Sequence, residues 1–305
     1  MYNTQASGGK QTPETRRTKH RVTMSTFTDY DEVSKGYDIC RRATNMDLLV
    51  GMVTHLTKKP LKELSVLDAG CGTGNYALGL LDAGVGHVTM MDGSDGMLQA
   101  ARKKTANYQN NTEYRLGKLP QLPFPDNSFD VIMFNQVLHH LDDKGKDDNR
   151  FPAVRETLSE ATRVLKKGGV IVIDITTYEQ NTHKHQYGFW FISLLGVTKA
   201  YSNRTPPLSL IREVLQDGGC SDIQHYVQLE RILMDYKMYS DLEGALDPSW
   251  QKADSSFSEA SPEQIDEFCK KIRIMKAEDT LRQYFEQCEQ SRLKVGQAIT
   301  IFARK

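Results

Sequence analysis

The stretch VLDAGCGTGN at residues 66–75 decides how the rest of the chain is interpreted. Its first residues suit the end of a buried strand, and three glycines at every second position lead into a segment suited to a helix. Glycine adopts backbone angles closed to other residues and lets a ligand approach the main chain closely. In an open α/β sheet, ligands bind beyond the carboxyl ends of the strands, where the strand order reverses. The stretch therefore predicts a ligand site at the end of the first strand of such a sheet.

Strand-like and helix-like segments alternate along the chain around this loop. The predicted strands are Ser65–Ala69, His87–Met91, Thr112–Leu116, Phe129–Asn135, Val170–Thr176, Ile223–Leu229 and Gln297–Phe302. The predicted helices are Asn75–Ala83, Ser94–Lys104, Ala153–Lys166, Pro207–Gln216 and a helix capped by Ser261 with Pro262 in its first turn. This alternation predicts a parallel sheet with helices on both faces.

The spacing of the glycines separates two classes of ligand. A dinucleotide fingerprint reads GxGxxG and places a pyrophosphate at the helix N-terminus, whereas this loop reads GxGxG. Asp68, two residues before the first glycine, would repel a pyrophosphate but suits a ligand that carries an ammonium or sulfonium group. No Gly-Lys-Ser/Thr sequence follows, which excludes a phosphate-binding P-loop. The loop therefore favours a ligand with positive charge.

A second acidic residue, Asp92, ends the second predicted strand, 18 residues beyond Gly74. A carboxylate at this position can accept hydrogen bonds from both hydroxyls of a ribose. The alternative is that Asp92 caps the following helix, although Ser94 could fill that position instead. Ribose binding agrees with the glycine loop and is the favoured interpretation.

The overall composition excludes several classes of protein. The 305 residues contain 39 Lys or Arg and 39 Asp or Glu, for a formal net charge of +0. Nucleic-acid binders usually carry an excess of basic charge, so this balance argues against that class. No apolar run approaches the length that spans a bilayer, and five scattered cysteines predict neither a disulfide framework nor a zinc site. The composition favours a soluble cytoplasmic protein.

The charge is divided unequally between the two ends of the chain. The first 23 residues contain five Lys or Arg and one Glu, a charge of +4, which leaves −4 on residues 24–305. Their polar composition predicts a disordered basic tail, and a mitochondrial targeting segment is the alternative. The negative charge on the remainder favours a neutral or cationic substrate over a phosphorylated one.

Five strings carry a resemblance to a known family. They are VLDAGCGTGNYALGLL (66–81), MMDGSDGML (90–98), LPFPDNSFDVIMFNQVLHHL (122–141), RVLKKGGVIVIDI (163–175) and GQAITIFARK (296–305). They resemble the motifs of the class I S-adenosylmethionine (SAM)-dependent methyltransferases, and most of all the small-molecule branch with quinone-biosynthesis and sterol-type enzymes. The resemblance covers residues 61–177 and the last strand. It implies a doubly wound, seven-stranded, mostly parallel α/β sheet, with SAM as the cofactor and no metal.

The same resemblance implies roles for individual residues. Asp68 and the glycine loop would cradle the methionine part of SAM, Asp92 would bind the ribose, and Asn135 would begin the floor under the reacting methyl group. The implied cofactor-binding set is Tyr37, Arg42, Asp68, Ala69, Gly70, Gly72, Gly74, Asn75, Asp92, Gly93, Met97, Lys118, Leu119, Asn135 and Gln136. Lys118-Leu119 stands where the family commonly has Asp-Ala, so the usual carboxylate partner of the adenine amino group is absent.

The domain organisation expected for such an enzyme places substrate selection outside the sheet. Residues 24–305 are predicted to form one methyltransferase domain, with residues 24–60 as a helical lid over the cofactor. Insertions at residues 178–206 and 230–292 are predicted to form a cap that selects the substrate.

The predicted reaction is methyl transfer from SAM to an O, N or S atom of a small metabolite by in-line displacement. The Asp/Asn-Pro-Pro-aromatic tetrapeptide of many amine methyltransferases that act on nucleic acid or protein is missing after the fourth strand. No Pro-Cys dipeptide supplies the nucleophile of pyrimidine methylation. A protein or RNA methyltransferase of atypical motif and a SAM-binding scaffold without catalysis remain alternatives.

Few residues are candidates for chemistry or substrate contact. His140 is a candidate general base or site-lining residue, and Tyr37 is a second catalytic candidate. The candidate substrate-binding residues are Tyr30, His140, Trp190 and Tyr201. The aromatic candidates would suit a planar or cationic acceptor, and the alternative for each of them is packing in the core. His183 and His185 are too few for a metal site. We expect no nucleic-acid or membrane partner, and the sequence leaves the oligomeric state undefined.

Overall fold

The computed structural model describes residues 38, 41–142, 151–182, 189–231, 236–251 and 254–305. Its strands are β1 Ser65–Ala69, β2 His87–Asp92, β3 Thr112–Leu116, β4 Phe129–Asn135, β5 Leu165–Ile175, β6 Ser221–Gln228 and β7 Ala298–Arg304. The strands form one sheet in the order β3-β2-β1-β4-β5-β7-β6. All neighbouring strands are parallel except β7, which runs antiparallel to both β5 and β6. The predicted doubly wound, seven-stranded, mostly parallel sheet is confirmed.

Twelve helices are described around this sheet. They are α1 Met46–Thr57, α2 Asn75–Asp82, α3 Asp95–Lys104, α4 Pro152–Val164, α5 Tyr178–Thr182, α6 Trp190–Leu195, α7 Thr198–Asn203, α8 Leu208–Asp217, α9 Tyr236–Tyr239, α10 Pro248–Gln251, α11 Pro262–Ala277 and α12 Leu281–Val295. Two predicted helix starts are found as expected. Ser94 caps α3 by accepting from the Met97 amide, and Ser261 forms a capping box at α11, where Pro262 takes the first turn. No helix of the described residues is long and apolar enough to cross a membrane.

The largest difference from the predicted elements lies at the start of β5. The sequence predicts that helix α4 continues to Lys166, but the helix ends at Val164 and the strand begins at Leu165. Leu165 pairs with Phe129, after which the register between β4 and β5 shifts. A Cβ at Gly169 would lie only 2.8 Å from the Asp130 carbonyl oxygen. Glycine therefore lets the two strands approach each other through this irregularity, where a side chain would separate them.

The sheet separates two apolar layers. On one face, α1, α2 and α3 cover a cluster that includes Val66, Met90, Met133 and Val172. The other face carries a second cluster, to which α4 and α8 contribute. Successive residues of a strand point to opposite faces, so each strand contributes to both layers. This alternation fixes which side chains meet at the carboxyl edge of the sheet.

A third apolar cluster is built by the two predicted insertions and is called here the aromatic cluster. Its large rings are those of Phe189, Trp190, Phe191, Tyr201, Tyr239, Trp250, Phe257, Phe268 and Phe285. The two segments are distant in sequence, yet the rings of Phe191 and Trp250 meet edge to face with centroids 5.4 Å apart. Residues 189–201 and 239–285 therefore share one core, which also includes Ala298 of β7.

Candidate functional site

The glycine loop leaves β1 in a left-handed backbone conformation. The φ angles of Gly70, Gly72 and Gly74 are 80°, 52° and 80°, a region that glycine alone adopts without cost. The Gly70 amide donates to the Met91 carbonyl oxygen at 2.7 Å, which ties the loop to β2. A Cβ at Gly70 would lie 2.5 and 2.9 Å from the two methyl groups of Val137. The loop is therefore tied to β2 by a hydrogen bond, and its backbone at Gly70 packs closely against Val137, which follows β4.

We expect Gly70→Ala to unfold at a lower urea concentration than Gly84→Ala. Both positions have positive φ, at 80° and 94°, so both variants carry the backbone cost. A Cβ at Gly84 meets nothing within 4 Å, whereas at Gly70 it overlaps both methyl groups of Val137. Such overlap costs about 1–3 kcal/mol of unfolding free energy. Equal losses in the two variants would contradict the close packing of the loop.

Four polar side chains form a row at the carboxyl edge of the sheet, called here the polar row. They are Asp92 of β2, Asp68 of β1, Asn135 of β4 and Asp174 of β5, on four adjacent strands. Each stands two residues beyond a member of the apolar cluster under α1, α2 and α3, so all four face the same side. The members beneath them are Met90, Val66, Met133 and Val172.

Asp68 is a buried carboxylate with an unsatisfied oxygen. Its side chain is 1% exposed. Asp68 Oδ1 accepts from Asn135 Nδ2 at 3.3 Å, and no described residue donates to Oδ2. Burial raises the pKa of Asp68 to about 7, the Asn135 hydrogen bond opposes the rise, and the charge of Asp92 adds to it. A buried anion without a partner is costly, so this oxygen is suited to a cationic ligand.

Asp92 holds the glycine loop against the start of α3. Its Oδ2 accepts from the Gly72 amide and its Oδ1 from the Ser94 amide, both at 2.9 Å. Ser94 caps α3 through its own hydroxyl, so the capping position is filled by Ser94. Asp92 is therefore placed at the junction of the loop and β2, as a ribose-binding carboxylate would be.

A pocket opens above three members of the polar row, Asp68, Asn135 and Asp174. Its space measures about 530 Å³, part of it open to solvent. It is lined by Arg41, Arg42, Asp68, Gly70, Cys71, Gly72, Asn75, Tyr76, Asn135, Gln136 and Asp174. The pocket therefore combines two buried carboxylates with two guanidinium groups. Among the described residues, no group of three or more His, Cys, Asp or Glu side chains is arranged to hold a metal ion.

The structure brings together much of the cofactor-binding set predicted from the sequence. Pocket-lining members of the set are Arg42, Asp68, Gly70, Gly72, Asn75, Asn135 and Gln136. Ala69, the last residue of β1, and Gly74, in the glycine loop, are both buried. Five further members lie outside the pocket lining: Asp92, Gly93, Met97, Lys118 and Leu119. Among them Asp92 is half-buried, Lys118 is exposed, and Met97 and Leu119 are buried. Tyr30 and Tyr37 lie outside the described residues.

Four pocket residues are absent from the predicted set: Arg41, Cys71, Tyr76 and Asp174. Asp174 had a signal, because it is an acid at the end of the apolar run of β5, the same position that Asp68 occupies in β1. Tyr76 lies in the first turn of α2, where the 3.6-residue pattern gives it no distinction from a core residue.

The segment before α1 contacts the glycine loop through Asp38. Asp38 Oδ1 accepts from Thr73 Oγ1 at 2.5 Å and from Asn75 Nδ2 at 3.2 Å. Lys104 Nζ of α3 donates to the same oxygen at 2.7 Å. Burial raises the pKa of Asp38, but the hydrogen bonds from Lys104 and Thr73 outweigh it and hold the pKa below its usual value. The residues before α1 thus contact the loop at the N-terminus of α2.

Two neighbouring histidines follow β4, and His139 is more deeply buried than His140. They lie in a short 3₁₀ helix, Leu138–His140, with ring centroids 4.0 Å apart. His139 is 5% exposed, and no described residue bonds its Nδ1. Burial lowers the pKa of His139 well below its usual value, and the charges of His140 and Arg204 lower it further. His139 is therefore neutral at physiological pH, and the base role of His140 stays a prediction.

The predicted substrate contact by Trp190 is corrected to core packing. Its side chain is 1% exposed inside the aromatic cluster, and its Nε1 donates to the Tyr239 carbonyl oxygen at 3.2 Å. Trp190 does not line the described pocket. Tyr201 is also buried, with the Arg204 guanidinium 4.7 Å from its ring centre. Arg204 in turn forms a buried ion pair with Glu259 at 2.7 Å.

The chain is similar to known methyltransferases. Residues 67–173 match the family model described as a methyltransferase domain. The demethylmenaquinone methyltransferase of Listeria welshimeri is 27% identical over 216 residues, which cover 64% of this chain and 87% of that protein. The Staphylococcus aureus protein of the same name is 29% identical over 173 residues, covering 53% of this chain and 65% of that protein.

A solved structure supports the fold. It is described as a methyltransferase from an antibiotic biosynthesis pathway of Anabaena variabilis, with a TM-score of 0.61 and 18% identity. The similarity covers 84% of this chain and 96% of that chain. At this level of identity the likeness concerns the arrangement of strands and helices.

Proposed function

The chain is a class I SAM-dependent methyltransferase, and from that premise we propose that it methylates an O, N or S atom of a small metabolite. When bound, SAM supplies an activated methyl group on a sulfonium sulfur, and transfer of that group leaves S-adenosylhomocysteine. The task of the chain is to align the two reactants and to exclude water from them. A small-molecule acceptor is supported by the names of the relatives with which the chain aligns.

The observation that carries the proposal is the unsatisfied oxygen of Asp68 in the pocket. SAM has two positive groups, an ammonium and a sulfonium, and either would offset the cost of burying this carboxylate. Arg41 and Arg42 line the same pocket and suit the carboxylate of the methionine part. The residues present therefore fit the charges of SAM.

The remaining groups of the cofactor have partners along the same edge. Asp92, fixed by two backbone amides, suits the ribose hydroxyls. Gly70 and Gly72 line the pocket with backbone alone, which leaves room for a close approach of the ligand. Gly93, Met97, Lys118 and Leu119 are proposed for the adenine, beyond Asp92.

We propose that His140 acts as the general base if the acceptor atom needs one, and that no base takes part otherwise. His140 is half-buried at the end of the segment that follows β4. A neutral amine needs no base before it attacks a sulfonium methyl, whereas a hydroxyl benefits from one. Tyr37 remains a second proposed catalytic residue and lies outside the described residues.

Transfer of a labelled methyl group tests the proposal. The chain is incubated with methyl-labelled SAM and with metabolite, protein and RNA fractions of a cell extract, each offered separately. We expect label in a small-molecule product of the metabolite fraction and none above background in the others. Label confined to protein or RNA would overturn the proposed acceptor class. Absence of label in every fraction would favour binding of SAM without catalysis.

The matched control for this assay is Asp82→Asn beside Asp68→Asn. Both changes remove one carboxylate, but Asp82 is exposed at the end of α2. We expect Asp82→Asn to label the same product as the wild-type chain. Loss of label in Asp68→Asn alone ties the transfer to the pocket.

A further inference from the structure

Asp174 is the centre of a buried hydrogen-bond network at one end of the pocket. It is 3% exposed. Its Oδ1 accepts from Gln136 Nε2 at 2.7 Å, and its Oδ2 accepts from the Tyr76 hydroxyl at 3.2 Å and from Gln228 Nε2. Burial raises the pKa of Asp174, and these three donors oppose the rise. Both oxygens of Asp174 are therefore occupied by donors of the chain itself.

This network fixes the orientation of the Gln136 amide. An ionised carboxylate only accepts hydrogen bonds, so the NH₂ end of Gln136 must face Asp174. The carbonyl end, Oε1, then points away from Asp174, and no described residue donates to it. The backbone adds a second constraint, since Gln136 has a φ of 54° and its amide donates to the Asp174 carbonyl oxygen at 2.8 Å.

Asn135, the residue before Gln136, is also oriented by a carboxylate, which belongs to the strand on the other side of β4. Asn135 Nδ2 donates to Asp68, which leaves Asn135 Oδ1 as the open end of that amide, and no described residue donates to it. Asp68 and Asp174 stand on the two strands that flank β4. Two carboxylates thus turn two consecutive amides so that both present carbonyl oxygens, and both residues line the pocket.

We propose that the carbonyl oxygens of Asn135 and Gln136 form an acceptor-only wall that holds the N–H or O–H group of the methyl acceptor. This inference rests on the proposed function and adds the chemical class of the acceptor to it. A neutral amine or hydroxyl can donate to the wall, whereas a carboxylate or phosphate would meet only oxygens of negative partial charge. Asp174 is a positioning residue, because it acts through Gln136.

The acceptor-only wall would also set the direction of the nucleophile's lone pair. An atom that donates its hydrogen to an amide oxygen keeps its lone pair directed elsewhere. The amide oxygens therefore orient the nucleophile and do not remove its proton. Transfer would form a bond from the nucleophile to the methyl carbon and break the carbon–sulfur bond of SAM, and the proton of the resulting ammonium or oxonium group then leaves to water.

Two variants test the wall through separate kinetic constants. Asp174→Asn places an amide opposite Gln136, so that the Gln136 amide can turn and bury its own oxygen. Gln136→Met keeps the length of the side chain and removes the oxygen. With the metabolite fraction that the wild-type chain labels as the acceptor probe, we expect kcat/KM to fall at least about tenfold in each variant, the effect of one lost hydrogen bond. We expect the Kd for SAM to change less than about threefold.

The matched control is Thr300→Val. Thr300 Oγ1 accepts from Gln228 Nε2 at 2.8 Å, in the same buried network but without contact to Gln136. We expect this variant to lose stability in a urea titration and to keep kcat/KM. If Thr300→Val loses as much activity as Asp174→Asn, the network has a structural role only and the inference is wrong.

The outcomes separate this inference from the proposed function. If the wild-type chain labels a metabolite and both variants keep kcat/KM, the wall is overturned and the methyltransferase stands. If the variants lose SAM affinity instead, the two amides belong to the cofactor site and the wall is again overturned. Identification of the labelled product as a methyl ester of a carboxylate would also contradict it. A product methylated at an amine or hydroxyl is the expected result.

Discussion

Asp68→Asn is expected to weaken SAM binding by about 30-fold or more above pH 7, since removal of one partner of a buried charge pair costs about 2 kcal/mol or more. In the wild-type chain, the pKa of Asp68 is about 7, and a cationic ligand favours its ionised form. The affinity of the wild-type chain should therefore fall about tenfold for each pH unit below 7. The variant has no carboxylate to protonate and should lose this dependence. Calorimetry across that range measures both effects.

The same variant should be more stable than the wild-type chain without ligand. The folded-state pKa of Asp68 is raised above its value of 3.8 in a model peptide. The contribution of Asp68 to the free energy of unfolding is therefore most favourable below pH 3.8. It is lost as the pH rises towards 7, by an amount on the order of 4 kcal/mol. Asn has no such cost, so the urea midpoints should differ above pH 7 and converge in acid. The control Asp82→Asn should show no gain. An Asp68→Asn variant that is less stable at every pH would contradict the uncompensated carboxylate.

Trp190→Ala is expected to lose about 3–5 kcal/mol of unfolding free energy, as large-to-small changes at buried aromatics do. The Trp190 ring meets Phe191, Trp250 and Phe285 with centroids 5.7, 5.9 and 6.2 Å apart, and its Nε1 proton has a buried partner. Removal leaves a cavity and an unpaired carbonyl. Urea unfolding monitored by circular dichroism measures the loss.

The control for Trp190 is Trp190→Phe, which keeps an aromatic ring and loses the hydrogen bond to Tyr239. We expect this variant to lose less stability than Trp190→Ala, and we expect both to keep the Kd of SAM while folded. The contrary result would be an Ala variant as stable as the wild-type chain with a raised KM for the methyl acceptor. That outcome would restore Trp190 to the substrate site.

Much of the sheet could be predicted because its central strands are buried on both faces. The bounds of β1 and β4 are those expected, since a continuous apolar run ends where the strand leaves the sheet. The start of β5 could not be predicted in this way. Its first residues, Leu165 and Lys166, continue the helical pattern of α4, and only pairing with β4 turns them into a strand.

The site was predictable where one motif holds its own residues together. Asp68 and Gly70 are neighbours in sequence, and their roles follow from the loop. Asp174 belongs to the site because β5 pairs with β4 in the register that sets Asp174 beside Asn135. The sequence does not contain that register. Trp190 shows the same limit, since its partner Trp250 lies 60 residues away and the pattern around Trp190 gives no sign of it.

We expect the pocket above Asp68 to bind SAM with the carboxylate ionised. Isothermal titration of SAM below pH 7, in two buffers with different protonation enthalpies, measures affinity and proton release together. We expect one SAM per chain, release of a proton from Asp68 on binding, and binding of S-adenosylhomocysteine at the same site. No heat from either ligand, or SAM binding without proton release below pH 7, would contradict it.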